Sequence, residues 1–160
     1  MEGLACAFTG HRKIESAHRE KIDELVMRGI AYAYDKGCRR FYAGGALGFD
    51  TVAAKQVLLF KITHPDAELH LIIPCKNQDE KWSDMQRKMY EYILSRADGI
   101  EILSDSYTPD CMRRRNARLV SLADMIIAYS GRTNSGAAQT VRMAECEGKT
   151  VYNLFPTLNN

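Results

Sequence analysis

Two glycine-rich segments are the parts of this sequence best suited to hold an anionic ligand. The first reads Gly44-Gly45-Ala46-Leu47-Gly48-Phe49-Asp50, and the second reads Ser130-Gly131-Arg132-Thr133-Asn134-Ser135-Gly136. Each follows a β-favouring run and leads into a helical one, so its backbone N–H groups and the positive end of the helix dipole can face a phosphate. Two such turns in one small protein favour a phosphate-bearing ligand that is held from two sides.

Each segment also has an ordinary structural explanation, which the sequence leaves open. The first matches neither the G-x-G-x-x-G nor the Walker A motif, and Asp50 could simply be the N-cap residue of the following helix. The second could be a flexible loop in which Ser135 is the cap. If the second segment does bind a ligand, the hydroxyls of Ser130, Thr133 and Ser135 can donate to phosphate or ribose oxygens.

Basic and amide side chains add to this predicted site. Arg12 lies in Thr9-Gly10-His11-Arg12, directly after the first β-favouring run, and Arg115 precedes Asn116 in a helical stretch. Asn116 shares a stripe with apolar residues, so we expect it to point inward, where an amide needs a partner, with Arg115 beside it facing the cleft. The alternative is that the basic residues form a solvent-exposed face and that the Asn116 amide is hydrogen-bonded within the protein. The sequence places no Asp or Glu where it would clearly pair with His11 in a general base. We therefore predict no catalytic residue, and we predict no metal ligand.

The composition indicates a soluble globular protein. In 160 residues, 46% are hydrophobic and 26% charged, and the net charge of +2 is too balanced to imply a polyanionic partner by itself. No apolar run approaches the roughly 20 residues of a membrane span, and the N-terminal residues lack the layout of a signal peptide. The five widely spaced cysteines contain no C-x-x-C pair, which is typical of free thiols in a reducing compartment. We therefore expect a cytoplasmic protein with one domain, residues 1–160.

Six β-favouring runs alternate with five helical stretches. The strands are predicted at Leu4–Phe8, Arg39–Ala43, Glu68–Ile73, Gly99–Leu103, Met125–Tyr129 and Thr150–Leu154. The helices are predicted from Ser16 as N-cap to Gly37, at Asp50–Lys61, from an N-cap at Ser83, at Asp110–Leu122 and at Ser135–Glu147. The buried face of the third helix is predicted to hold Met85, Met89, Tyr92 and Ile93. Strict alternation with about 30 residues per unit predicts an α/β fold, a doubly wound, mostly parallel six-stranded sheet with helices on both faces.

Ligands of such sheets bind outside the carboxyl ends of the strands, at the point where the strand order reverses. The glycine-rich segments and Thr9–Arg12 all follow predicted strands, so we expect them at this edge, whereas the opposite edge has ordinary turns. The residues predicted to bind the ligand share this location. They are Thr9, Gly10, His11, Arg12, Gly44, Gly45, Gly48, Asp50, Arg115, Asn116, Ser130, Gly131, Thr133, Ser135 and Gly136.

These motifs together resemble a known family. Thr9–Arg12, Gly44–Asp50, Arg115-Asn116 and Ser130–Gly136 stand in the order found in the YpsA-like branch of the SLOG superfamily, and the resemblance covers nearly the whole chain. That superfamily groups the DNA-processing protein DprA/Smf with the Lonely Guy phosphoribohydrolases. The resemblance implies a Rossmann-like fold, a nucleotide or nucleotide-derived ligand at the strand ends, homodimers and a bacterial source.

One position departs from the Lonely Guy pattern. Those enzymes carry P-G-G-x-G-T-x-x-E, whose glutamate takes part in cleaving the N-glycosidic bond. When the last glycine of that motif is aligned with Gly136, Gln139 takes the place of the glutamate. An amide can orient a ribose, but it cannot stabilise cationic charge on the sugar or serve as a base near neutral pH.

The favoured hypothesis is therefore a binding or sensing module for a nucleotide, ADP-ribose-like or NAD-like ligand, without catalysis. Cleavage of a nucleotide N-glycosidic bond is the second hypothesis. Binding of single-stranded DNA, as in DprA, is the third, and the balanced charge disfavours it because such binding depends on clustered basic residues. Besides the nucleotide-type ligand, we expect a second copy of the chain as a partner and no membrane span.

Overall fold

A computed structural model describes residues 3–159 as a six-stranded, all-parallel sheet with helices on both faces. The strands are β1 (Leu4–Gly10), β2 (Cys38–Ala43), β3 (Glu68–Ile73), β4 (Gly99–Ile102), β5 (Met125–Tyr129) and β6 (Thr150–Asn153). The helices are α1 (Arg19–Asp35), α2 (Phe49–Lys61), α3 (Asp84–Arg96), α4 (Cys111–Leu122), α5 (Gly136–Cys146) and the short α6 (Phe155–Leu158). The predicted fold class is confirmed. Residues 1, 2 and 160 of the predicted domain lie outside the described residues.

Helices bury the two faces of the sheet in separate hydrophobic layers. On one face, α1, α2 and α3 pack over alternate residues of the strands, for example Phe8 and Phe41. On the other face, α4 and α5 cover the residues between them, such as Ala7 and Ile126. Because both faces are covered, the central strand β5 is a continuous apolar run, and all five of its residues are buried.

The strand order is β4-β3-β2-β1-β5-β6. The chain therefore moves outward from β1 through β2 and β3 to β4, then crosses back over the sheet through α4 to β5 on the other side of β1. The reversal leaves a crevice at the carboxyl ends of β1 and β5, which is where open α/β sheets bind their ligands.

Two predicted helix starts differ from the structure, and a predicted cap is confirmed. The first α-helix begins at Arg19, after a 3₁₀ turn at Ser16–His18 that holds the buried His18 side chain against the core. Helix α2 begins at Phe49 with Gly48 as its N-cap. In α3 the Ser83 cap is confirmed with its capping box.

The buried face of α3 also differs from the prediction. It holds Tyr90 and Ile93, whereas Met85 and Tyr92 are 82% and 50% exposed. The physical reason is that α3 lies near the edge of the sheet and packs against α2 on one side only, so residues a turn away from that contact face solvent.

All five cysteines are free, with Cys146 exposed and the other four buried. No helix within residues 3–159 is both long enough and apolar enough to span a bilayer.

Candidate functional site: a cleft at the carboxyl ends of β1 and β5

A cleft of about 400 Å³ opens at the strand-order reversal. Its walls come from the segment after β1, from α4 and from the start of α5, and residues of the segment after β2 close one end. This volume lies within the range of about 300–1,000 Å³ that is typical of small-molecule sites. Both glycine-rich segments therefore reach one cleft, the first through Ala46 and Asp50 and the second through Ser135 and Gly136.

Arg115 crosses beneath the first segment and is almost fully buried, with 6% of its surface exposed. Its Nη1 donates to the Gly44 carbonyl at 2.6 Å, and its Nε donates to the Asn116 Oδ1 at 2.8 Å. Any side chain at position 44 would have to displace Arg115, because a Cβ there would lie 2.3 Å from this Nη1 and 2.7 Å from the Asp50 Oδ2. The more deeply buried member of the Arg115–Asn116 pair is thus the arginine, which differs from the sequence expectation. The absence of a side chain on Gly44 makes room for it.

Asp50 brings a buried carboxyl group to the cleft. Its Oδ2 accepts a hydrogen bond from the Ala46 N–H at 3.2 Å. Burial raises the pKa of Asp50 above its usual value, while the nearby Arg115 guanidinium, the Ala46 N–H and Arg12 act in the opposite direction. Burial also lowers the pKa of Arg115, and the charge of Asp50 opposes that shift. The two side chains therefore stabilise each other's charged forms in a poorly solvated place.

The first segment contributes differently from the N–H cradle that its glycines predict. The Ala46 N–H is taken by Asp50, and the Phe49 N–H donates to the His11 carbonyl at 3.1 Å. The segment therefore offers the cleft a carboxyl group, which suits a ligand hydroxyl better than a phosphate. Its glycines are explained by packing: Gly45 has a φ of +72°, and a Cβ there would lie 2.5 Å from the Ile73 side chain.

The second segment keeps its helix N-terminus open toward the cleft. Ser135 caps α5 by accepting the Ala138 N–H at 3.0 Å. The N–H groups of Gly136 and Ala137 precede that bond in the first turn, and neither has an acceptor among residues 3–159. Gly136 is exposed, and a Cβ there would have only the Asn116 Nδ2, 3.8 Å away, as a neighbour. Free N–H groups and the positive end of a helix dipole form an anion-binding arrangement.

His11 ties the second segment to the end of β1. Its Nε2 accepts the Gly131 N–H at 2.9 Å, so in the neutral ring the proton is on Nδ1. Burial lowers the pKa of His11, Arg132 lowers it further and Glu15 opposes the shift. An uncharged His11 is needed for this bond, since the imidazolium has no lone pair to accept it. The structure thus gives His11 a positioning role.

Aromatic rings support the cleft from below. Tyr129, at the end of β5, stacks on Phe49 with 5.7 Å between ring centroids and contacts His11 and Phe155. Glycine is required at 131 because a Cβ there would lie 2.2 Å from the Phe155 ring. This packed layer holds the segments after β1 and β5 in fixed positions.

The cleft is positively charged. Four basic residues line it against the single acidic residue Asp50: Arg12, Lys13, Arg115 and Arg132. The whole chain has a net charge of only +2, so the basic charge is concentrated here by the fold. A confined site with one sign of charge attracts ligands of the opposite sign.

Nine of the fifteen predicted ligand-binding residues line the cleft: Thr9, Gly10, His11, Arg12, Asp50, Arg115, Asn116, Ser135 and Gly136. The other six lie outside its lining: Gly44, Gly45, Gly48, Ser130, Gly131 and Thr133. The backbone of Ser130, for example, bonds the Asn153 side chain through both its N–H and its carbonyl. Gln139 is exposed on α5 and also lies outside the lining.

Sequence reasoning did not single out several lining residues. Lys13 directly follows Thr9–Arg12, and Arg132 lies within Ser130–Gly136. Both come shortly after the end of a strand, which could have predicted their place in the cleft. Met112 lies one turn before Asn116 on α4, and its Sδ contacts the Arg115 Nη2 at 3.8 Å. The sequence did place Met112 on the helical stripe of Asn116, but it did not predict the contact with Arg115, three residues along the helix.

Comparison of sequences shows what the chain resembles. The YpsA family model, described as the YspA SLOG family, matches residues 6–154. The SPbeta prophage-derived protein YoqJ of Bacillus subtilis (strain 168) is 28% identical over 152 residues, which are 86% of this chain and 85% of YoqJ.

Comparison of structures gives the same fold. DNA processing protein A (DprA) from Streptococcus pneumoniae superposes with a TM-score of 0.66 at 18% identity, over 92% of this chain and 49% of that protein. DprA from Helicobacter pylori, whose structure describes a single-stranded DNA binding mode, gives 0.64 at 22% identity over 92% of this chain and 63% of that one. At these identities the likeness establishes a shared fold, and the chain spans about half the length of the S. pneumoniae protein.

Proposed function

Because the chain belongs to the YspA SLOG family, we propose that it binds a nucleotide or nucleotide-derived ligand, of the ADP-ribose or NAD type, in the cleft at the ends of β1 and β5. The protein acts as a binding or sensing module and breaks no bond in the ligand. Its working form is one Rossmann-like domain over residues 1–160, in a cytoplasmic homodimer.

One observation carries the proposal: the open N-terminus of α5 faces a cleft lined by four basic residues. The Gly136 and Ala137 N–H groups bind a phosphate oxygen there, and Arg12 and Arg132 neutralise its charge. Arg115 is hydrogen-bonded to Gly44 and Asn116, so it acts mainly by fixing the loop and by opposing the rise in the pKa of Asp50 that burial causes. Asp50 then accepts a ribose hydroxyl. A helix N-terminus, basic groups and one acceptor match the parts of a nucleotide.

Calorimetric titration tests this proposal with AMP, ADP, NAD and ADP-ribose. The informative variant is Gly136→Val, because the space beside Gly136 is open and the added side chain fills the cleft. We expect at least about a tenfold loss of affinity, which corresponds to roughly 1.4 kcal/mol. The matched control is Gln139→Val, an exposed position on the same helix outside the cleft. Gly45 is unsuitable because its positive φ and the contact with Ile73 make any substitution a test of the fold.

Two results would overturn the proposal. One is that no member of the panel binds in the millimolar range. The other is that Gly136→Val retains the affinity of the natural protein while its thermal unfolding is normal.

Cleavage of the N-glycosidic bond is a second candidate because the cleft does contain a carboxyl group. Asp50 is buried and its pKa is raised, which is a feature of catalytic acids and bases. Incubation with nucleoside monophosphates, followed by chromatography for free base, separates the two functions. Release of base that disappears in Asp50→Asn supports an enzyme, and no release above a heat-killed control supports a binding module.

The likeness to DprA makes single-stranded DNA the third candidate. A mobility-shift titration with an oligonucleotide at low and high salt tests it, because binding through phosphates weakens steeply with salt. Sedimentation analysis tests the homodimer in the same preparation.

A further inference from the structure

A second concavity lies next to the cleft, on the face of the sheet that α1, α2 and α3 cover. It is a groove of about 470 Å³ between the first turns of these three helices. We call it the α1–α3 groove. Arg12 and Gly48 of the predicted motifs line it, but the sequence did not predict a second concavity, because most of its other residues lie on three separate helices.

The α1–α3 groove and the cleft share one wall. Arg12 and Lys13 line both concavities. In the ridge between them, the Arg12 carbonyl packs directly against Gly48, where a Cβ would lie 2.2 Å from that oxygen. A ligand that is anchored in the cleft can therefore reach the groove by crossing this ridge, with its charged part beside Arg12 and Lys13.

The chemistry of the groove differs from that of the cleft. Its floor contains the buried Ile14 and Ile22, and its sides contain Val52, Met85 and Met89. Met85 is 82% exposed, so part of this apolar lining has no partner within residues 3–159. An apolar floor suits a flat ring, and methionine side chains adapt to such a ring and contact it favourably.

Polar and charged side chains also line the groove: Arg12, Lys13, Arg19, Asp23, Thr51 and Gln86. The Thr51 hydroxyl donates to the Ala46 carbonyl at 3.0 Å. Asp23 can accept from the edge of a heterocycle. Apolar side chains that can contact the face of a ring, beside polar groups that can bond its edge, form a surface suited to a heterocyclic ring.

We propose that the α1–α3 groove is a second subsite that takes the nucleobase of a ligand whose phosphates occupy the cleft. This inference rests on the proposed function, and it specifies a bipartite ligand: a diphosphate in the cleft, a sugar beside Asp50 and the Arg12–Lys13 ridge, and an aromatic base between α1 and α3. A diphosphate without a base fills the cleft alone.

The first experiment uses two probes, ADP and inorganic pyrophosphate, with protein labelled at the methionine methyl groups. The ring current of a base in the groove shifts the methyl signals of Met85 and Met89, whereas pyrophosphate leaves them in place. The methyl signal of Met112, which lines the cleft, responds to both probes.

The second experiment measures affinities for the same two probes. We expect Met85→Ala to weaken ADP binding by roughly fivefold through lost apolar contact and to leave pyrophosphate binding unchanged. The control is Tyr92→Ala, an exposed position on the same helix outside the groove, which should affect neither probe. Since Met85 is exposed, its replacement does not endanger folding.

The outcomes separate the two proposals. If ADP competes with pyrophosphate but leaves the Met85 and Met89 signals in place, the base lies elsewhere: the subsite is refuted and the proposed function stands. If ADP shifts Met85 and Met89 without competing with pyrophosphate, the groove binds a base independently and the bipartite ligand is refuted. If neither probe binds at millimolar concentration, both proposals fail.

Discussion

The replacement Gly44→Ala tests the central contact of the site. The backbone at Gly44 has no positive φ, so alanine introduces no backbone strain, and its effect must come from the contacts of the new Cβ. That atom would lie 2.3 Å from the Arg115 Nη1 and 2.7 Å from the Asp50 Oδ2. The Arg115 guanidinium must move, and its bond to the Gly44 carbonyl is lost or weakened.

The magnitude follows from these two consequences. Losing a hydrogen bond to a charged group costs about 1.5–3 kcal/mol, and overpacking a close-packed site costs about 1–3 kcal/mol. Because a guanidinium can rotate, the lower part of the combined range applies, so we expect a loss of about 3 kcal/mol in the free energy of unfolding. With a urea slope of about 2 kcal/mol per molar, the unfolding midpoint falls by about 1.5 M.

Gly136→Ala is the matched control, since the same change there meets no atom closer than 3.8 Å. It should be neutral or stabilise the protein by up to about 1 kcal/mol, because alanine reduces the entropy of the unfolded chain. A double-mutant cycle with Arg115→Ala completes the test, since Gly44→Ala should cost much less once the guanidinium is absent. Equal urea midpoints for Gly44→Ala and Gly136→Ala, or an unchanged cost in the Arg115→Ala background, would refute the reasoning.

Three further predictions concern the layer beneath the cleft. The pKa of His11 is lowered, so the stability that its neutral form contributes is complete above the unfolded value of about 6.5 and is lost as the pH falls through the lower folded value. After correction for the intrinsic rate, hydrogen exchange at the Gly131 amide should therefore become faster below that pH. If the protection of this amide does not change with pH, the hydrogen bond from Gly131 to His11 does not hold the segment in place. Gly131→Ala should destabilise the protein by about 1–3 kcal/mol through its clash with Phe155; Phe155→Leu should relieve most of this loss in thermal unfolding, and no relief would point to another cause. Tyr129→Phe should cost about 1–3 kcal/mol because it leaves the buried His18 Nδ1, 2.7 Å from the Tyr129 hydroxyl, without a partner. A urea midpoint equal to that of the natural protein would show that this bond is unimportant.

The sequence predicts the sheet well because the relevant signals are local. The continuous apolar run that becomes β5 could be placed to the residue, since a strand buried on both faces must be apolar throughout. The bounds of β3 were also predicted to the residue, although Glu68 at its start is exposed. The Ser83 cap was equally readable, because a capping box is formed by residues three apart. The buried face of α3 was not readable, since it depends on where the helix lies relative to α2 and the edge of the sheet.

The sequence alone thus determined the fold class, the alternation of strands and helices, and the edge of the sheet where polar and glycine residues gather. Only the tertiary structure decided what those residues do there. It showed that Asp50 takes the Ala46 N–H, that Arg115 is buried beneath Gly44 and that the first-turn N–H groups of α5 stay open toward the cleft. The reason is that secondary structure follows from neighbours in the chain, whereas each of these contacts depends on where segments from different strands and helices meet, and their distances are set by the packing of the whole sheet.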